Sequence, residues 1–131
     1  MPNRLEINPI HLGLGATAEV QPQMTGGMEW YAEYGVRHVD DGTEGRLVSM
    51  YRFTESWDVW EMHPKGAEVV LCTEGELTLI QEMTDGILQS TTLSAGEYVI
   101  NPPGVWHTAD VEGSATAVFI TAGEGTEHRA R

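Results

Sequence analysis

The stretch WEMHPKGAEVVLCTEG, residues Trp60 to Gly75, decides how this chain is read. Glu61 and His63 stand two apart on a predicted strand, so their side chains leave on one face while Trp60 and Met62 take the other. Pro64 ends the strand, Lys65-Gly66 can turn it, and Glu68 opens the next strand, where it can swing back toward His63. Carboxylates and an imidazole gathered at adjacent strand ends are sensible ligands for a divalent metal. The same residues would also suit surface acids beside an ordinary histidine, and this stretch alone leaves both readings open.

Outward from it, the chain reads as short β segments punctuated by Gly and Pro. RLVSMYRF covers 46–53, SWDVWEMH 56–63, AEVVLCT 67–73, ELTLIQEM 76–83 and ILQSTTL 87–93. EYVINP (97–102), VWHTADV (105–111) and TAVFITAG (116–123) complete the set. Asp85-Gly86 between two of these runs is a strong hairpin signal. Such a pattern predicts a sandwich or barrel and excludes alternating β and α units. Residues 1–27 carry no clear period and read as an extended arm with a short strand. Residues 28–39 read as a short helix, with Trp30 and Tyr34 one turn apart and Gly35 as its weak point. DDGTEG (40–45) reads as a turn, and the C-terminal GEGTEHRAR as a tail.

The second half adds GEYVINPPGVWHTADV, residues 96–111. Together the two stretches read E-x-H-x4-E-x6-G and G-x5-P-x-G-x2-H. This resembles the two-part signature of the cupin superfamily, G-x5-H-x-H-x3,4-E-x6-G followed by G-x5-P-x-G-x2-H-x3-N. His63, Glu68, Gly75, Gly96, Pro102, Gly104 and His107 match its fixed positions. Since Gly and Pro each make up only about 5–7% of ordinary sequences, agreement at all of these is not expected by chance.

The resemblance implies an all-β fold, the cupin double-stranded β-helix or jelly-roll-like barrel, with an N-terminal arm and a short helix. On that reading residues 1–45 are the arm and helix packing on the barrel, 46–122 the barrel and 123–131 the tail. It also implies a ligand set of His63, Glu68 and His107. Three positions depart from the pattern: the first histidine is Glu61, the leading glycine is Glu55, and the closing asparagine is Val111. Only Glu61 touches chemistry. As a fourth ligand it makes the set harder and more anionic, which favours Mn or Fe and leaves Zn and Ni possible. Off the metal, it is placed to act as a catalytic base.

Composition bounds the function. The chain has 131 residues and a formal net charge of −13, from 20 acidic against 7 basic residues. Such a surface repels phosphate backbones and anionic lipid, so neither nucleic acid nor membrane is an expected partner. No run approaches the roughly 20 apolar residues of a membrane span. The N-terminus shows no basic and then apolar leader, and Cys72 is the only cysteine, so a reducing, cytoplasmic setting is expected. Exposed strand edges and the family resemblance together predict a homodimer.

Other residues have blander readings. Lys65, the only lysine, is a solvated turn residue or guards the mouth of the cavity. Trp57, Trp60 and Trp106 line a pocket or, more commonly for barrel aromatics, serve packing or dimer contacts. Cys72 reads as a packed thiol; His11, His38 and His128 read as structural or surface residues, and Tyr98 and Thr108 flank the second motif. The expected function is a metal-dependent enzyme, of oxygenase or isomerase type, acting on a small oxygen-rich organic molecule. The alternative is a non-catalytic cupin domain that binds or senses a small molecule in the same cavity.

Overall fold

Alternation of burial fixes which face of each strand turns inward. On one strand Glu68, Val70 and Cys72 are buried while Val69 and Leu71 are only half-buried; on the next, Leu77, Leu79 and Gln81 are buried and their neighbours are not. The computed structural model describes residues 1–131. In chain order it contains β1 (Ile10–Gly13), β2 (Thr17–Val20), α1 (Met28–Arg37), β3 (Arg46–Phe53), β4 (Val59–Met62), β5 (Glu68–Gly75) and β6 (Leu77–Glu82). These are followed by β7 (Leu88–Leu93), β8 (Tyr98–Asn101), β9 (His107–Asp110), β10 (Ala115–Thr121) and β11 (Glu127–Ala130).

Two antiparallel sheets result. One runs β2-β1-β3-β10-β5-β8, the other β11-β4-β9-β6-β7. Their inner faces enclose Val70, Cys72, Leu77, Leu79, Leu93, Ala109, Val111, Ala115, Ala117 and Phe119. The all-β, two-sheet architecture expected from the sequence is the one found.

The inner faces change character along their length. β5 passes from Cys72 and Val70 to Glu68, and β6 from Leu77 and Leu79 to Gln81. β9 passes from Ala109 to His107, β8 from Val99 to Asn101, and β10 from Phe119 to Thr121. Register places these polar ends together: Glu68 pairs with both Thr121 and Asn101, and His107 with both Glu61 and Gln81. One end of the sandwich is thus an apolar core and the other a buried polar floor.

The turns follow their residues. Asp85 and Gly86 both take positive φ, 69° and 75°, which is the geometry a tight hairpin between β6 and β7 needs. Gly75 has φ +73°, and a Cβ there would meet the Ser114 carbonyl oxygen at 2.1 Å. Both conformation and space therefore reserve that motif position for glycine.

Three segments differ from the sequence reading. The arm forms a β1–β2 hairpin that extends the first sheet through β3. The strand expected over 56–63 is confined to Val59–Met62, and His63 lies just past its end. The segment read as a tail carries β11, which pairs with β4 in register Glu127↔Met62 and His128↔Glu61. Three of its four residues are polar and all four are exposed, so no apolar alternation marked it as a strand. Gly35 does not break α1, because buried Trp30 anchors that helix and its indole N–H donates to Pro22 O at 3.3 Å.

Candidate metal centre

Glu61 on β4 and His107 on β9 face each other across the only paired position of those strands. His63 follows one turn of alternation after Glu61, and its carbonyl accepts from Gly104 N–H at 2.9 Å. That bond ties the loop of the second motif onto the end of the first. Glu68 enters from the opposite sheet. All four side chains expected to hold a metal converge: Nε2 of His63 lies 3.2 Å from Glu68 Oε2, and Nε2 of His107 lies 3.2 Å from Glu68 Oε1. Glu61 Oε2 lies 3.8 Å from each of those nitrogens.

Neighbours fix the protonation pattern. The Thr126 hydroxyl donates to Gly123 O at 2.8 Å, so toward His63 its oxygen must accept from Nδ1–H, at 2.8 Å. His107 Nδ1 stands 3.4 Å from Val105 O, which can only accept. Neutral rings so oriented present bare Nε2 lone pairs to the interior. Both Nε2 atoms are buried and neither has a hydrogen bond of acceptable direction, despite the short approach to Glu68. Two lone pairs and a carboxylate directed at one space form a donor set that a cation would satisfy. The residues present therefore fit a divalent metal, by the chemistry of the donors and by the orphaned nitrogens.

Glu68 is almost fully buried and held from behind. Thr121 Oγ1 donates to its Oε2 at 2.6 Å, and Asn101 Nδ2 to its Oε1 at 3.1 Å. Asn101 is oriented in turn by Gln81, whose Nε2 donates to Asn101 Oδ1 at 2.8 Å and to Ile100 O at 3.0 Å. Burial would raise the Glu68 pKa, but contact with and charge on His107 and His63 overcome it and hold the carboxyl well below its ordinary range. For His63, burial works against charge, yet Glu68, aided by Glu61, raises its pKa.

Glu61 is the least buried member of the cluster, with its side chain 28% accessible. Its other oxygen meets His128 Nε2 at 3.3 Å. His128 was read as a structural or surface residue; half-exposed on β11, it reaches the site through a strand that the sequence did not reveal. Thr121, Asn101, Gln81 and Thr126 also escaped sequence reasoning. Asn101 and Gln81 carried a weak signal, as polar residues at inward positions of otherwise apolar strands.

The remaining residues fall away from the cluster. Lys65 is exposed in its turn. Trp60 and Trp106 point outward and grip Arg129, whose guanidinium stands 5.2 and 4.6 Å from their rings. Trp57 faces inward. Tyr98 is exposed, Cys72 is a buried thiol, and Thr108 donates to Val59 O. His11 and His38 belong to a second network: His11 donates from Nε2 to Asp41 at 2.5 Å, Tyr34 OH meets its Nδ1 at 2.6 Å, and His38 stacks on it at 3.7 Å. It fastens the arm to the segment after α1.

With fold and cluster in place, likeness to known proteins can be stated. The family model for the cupin domain matches residues 54–123. No curated protein matches the chain. Among solved structures, oxalate oxidase in complex with the substrate analogue glycolate is similar with a TM-score of 0.55 at 21% identity, over 63% of this chain and 45% of that one. Hydroquinone 1,2-dioxygenase from Sphingomonas sp. TTNP3 with 4-hydroxybenzoate bound gives 0.50 at 16% identity, over 58% and 59%. A cupin-2 domain containing protein from Shewanella frigidimarina gives 0.49 at 26%, over 58% and 69%. The chain spans less than half the length of the oxalate oxidase, and at such identities the likeness to both enzymes is one of fold.

Proposed function

The chain belongs to the cupin family, and from that premise we propose that it holds one divalent metal through His63, Glu68 and His107, with Glu61 as fourth ligand, and acts as a metal-dependent enzyme on a small oxygen-rich organic molecule. The observation that carries this reading is the pair of buried, partnerless Nε2 atoms facing the two oxygens of Glu68. Two carboxylates with two imidazoles form a hard, mixed O/N set that favours Mn or Fe. Bound there, the metal would supply Lewis acidity and a template for substrate oxygens.

The chain's own residues supply the rest. Glu68, clamped by Thr121 and Asn101, is built to stay still. Glu61 is partly open to solvent and leans on His128, so it is placed to accept a proton from a substrate held beside it. His63 and His107 are oriented through their Nδ1 atoms. Oxygenase-type or isomerase-type chemistry fits this division of labour, and similar folds named as an oxidase and a dioxygenase are compatible with it.

The test is turnover. Protein without an affinity tag, loaded with Mn or Fe, is offered small hydroxy, keto and enediol acids while oxygen uptake and product isomers are followed. Conversion that Glu61→Gln slows when compared at matched metal loading is expected. No conversion of any of them by either metal form would leave the binding or sensing role in place of the enzyme.

A further inference from the structure

A second group of metal-capable side chains lies outside the barrel cluster, where the arm meets the segment after α1. A ring nitrogen of His11, a ring nitrogen of His38 and a carboxylate oxygen of Asp41 all lie within 4.8 Å of one another. His11 on β1 is buried, Asp41 approaches its Nε2 to 2.5 Å, and His38 stacks on its ring at 3.7 Å. Register places Glu19 of β2 opposite His11. A surface depression of about 460 Å³ opens beside these residues, with Glu19, Asp40 and Asp41 in its wall. The single arginine of that wall, Arg37, is engaged by Gln21 Oε1 at 3.0 Å, so the acidic groups dominate.

Two features exceed what a fastening His–Asp pair needs. The first is His38. Gln21 Oε1 accepts from Arg37 Nη2–H, which fixes that atom as the amide oxygen, so His38 Nε2, 3.0 Å from it, must carry a proton. In the neutral ring Nδ1 then holds the lone pair. Its contact is with Glu19 Oε2 at 3.8 Å, itself an acceptor and beyond hydrogen-bond reach. The second is Gly13. Its φ of −101° is open to any residue, yet a Cβ there would stand 2.6 Å from Thr17 Oγ1, 2.9 Å from Asp41 Oδ2 and 3.4 Å from His11 Nε2. The absent side chain leaves the His11 and Asp41 donor atoms uncovered on that side. Neither a bare nitrogen nor an uncovered donor pair serves to hold the arm in place.

We infer that His11, His38 and Asp41 form a second, exchangeable site for a borderline divalent ion such as zinc. Two imidazoles and a carboxylate are a zinc-type donor set and leave a fourth position to water. For His11 to ligate through Nε2 its proton moves to Nδ1, where the Tyr34 oxygen, 2.6 Å away, accepts it. Two ligands of one tetrahedral zinc, at bonds of about 2.0–2.1 Å, stand roughly 3.3 Å apart. An ion must therefore part His11 Nε2 and Asp41 Oδ2 from 2.5 Å and displace their hydrogen bond. That cost makes the ion exchangeable: it is held while free metal is present and leaves when free metal is removed. The site shares no residue with the barrel cluster, and the inference does not rest on the metal reading of that cluster.

Equilibrium dialysis against micromolar to submillimolar zinc tests it. Wild-type protein should hold one more zinc per chain at equilibrium than it keeps after free zinc is removed. His63→Ala/His107→Ala protein, with the barrel cluster disabled, should take up one zinc at equilibrium and keep none. His38→Phe retains a ring against His11 and removes both nitrogens. In either background it should abolish the exchangeable ion over the same zinc range, with the thermal midpoint of metal-free protein retained. Asp41→Asn, which keeps an acceptor for His11 without the charge, should weaken uptake. No exchangeable zinc in wild type, or equal exchangeable zinc in wild type and His38→Phe, overturns the second site, and the tightly held count at the barrel is independent of either result.

Discussion

The hydroxyl of Thr126 accepts a hydrogen bond from Nδ1 of His63 at 2.8 Å, 63 residues away along the chain. Because that hydroxyl also donates to Gly123 O, it leaves His63 one tautomer, the one whose Nε2 lone pair faces Glu68. Partners of this kind orient a metal-bound histidine and raise its basicity, and their loss typically costs 10- to 100-fold in affinity. Thr126→Val keeps the shape and removes the acceptor. Metal affinity should fall within that range with little change in thermal stability, as read by competition titration against a chelator.

Glu61 sets the charge of the site. As a ligand alongside Glu68 it brings two negative charges, which largely neutralise a divalent ion. Glu61→His should shift preference from Mn and Fe toward Ni and Zn. Glu61→Gln should weaken binding without emptying the site, since His63, Glu68 and His107 remain. Equal selectivity and affinity in the three proteins would show Glu61 to stand off the metal, as a base.

The pH dependence of the metal-free protein follows from two shifts of opposite sign. Glu68 is depressed, so its contribution to stability is present above the ordinary carboxylate range, about 4.3, and is lost as pH falls through its lowered value. His63 is raised, so its contribution is full below about 6.5 and is lost as pH rises through its raised value. Thermal midpoints of metal-free protein should therefore be highest between these limits, and His63→Ala should flatten the alkaline side. Metal affinity should rise with pH as the His63 proton stops competing.

Gly45 tests the anchor of the arm. A Cβ there would stand 2.8 Å from His11 Cε1 and 3.2 Å from Asp41 Cβ, although its backbone, at φ −69°, does not demand glycine. Gly45→Ala should destabilise the protein by about 1–3 kcal/mol, the usual range for overpacking a tight site. Metal content should be unchanged, because the His11–Asp41 pair lies outside the cluster.

The sequence carried the sheets and the cluster for a plain reason. Period-two burial and turn glycines are local, and the motif residues Glu61, His63, Glu68 and His107 sit at fixed offsets from them. β3 was legible to its bounds, Arg46–Phe53. What was not legible depends on pairing between distant segments. β11 has no apolar face and exists because β4 offers an open edge. Thr126 and His128 reach the site only through that pairing, and Thr121 and Asn101 only through the register of β10 and β8 on Glu68. The hydrogen bond between Tyr31 on α1 and Tyr51 on β3 likewise has no signature in spacing.

The most direct test of the account is metal stoichiometry by elemental analysis. Tag-free protein is incubated separately with Mn, Fe, Ni and Zn, freed of excess, and compared with His63→Ala and His107→Ala. The account predicts one tightly held ion per wild-type chain with at least one of these metals, and none in either variant. Wild-type protein that stays empty with all four, or variants that retain the full complement, would contradict it.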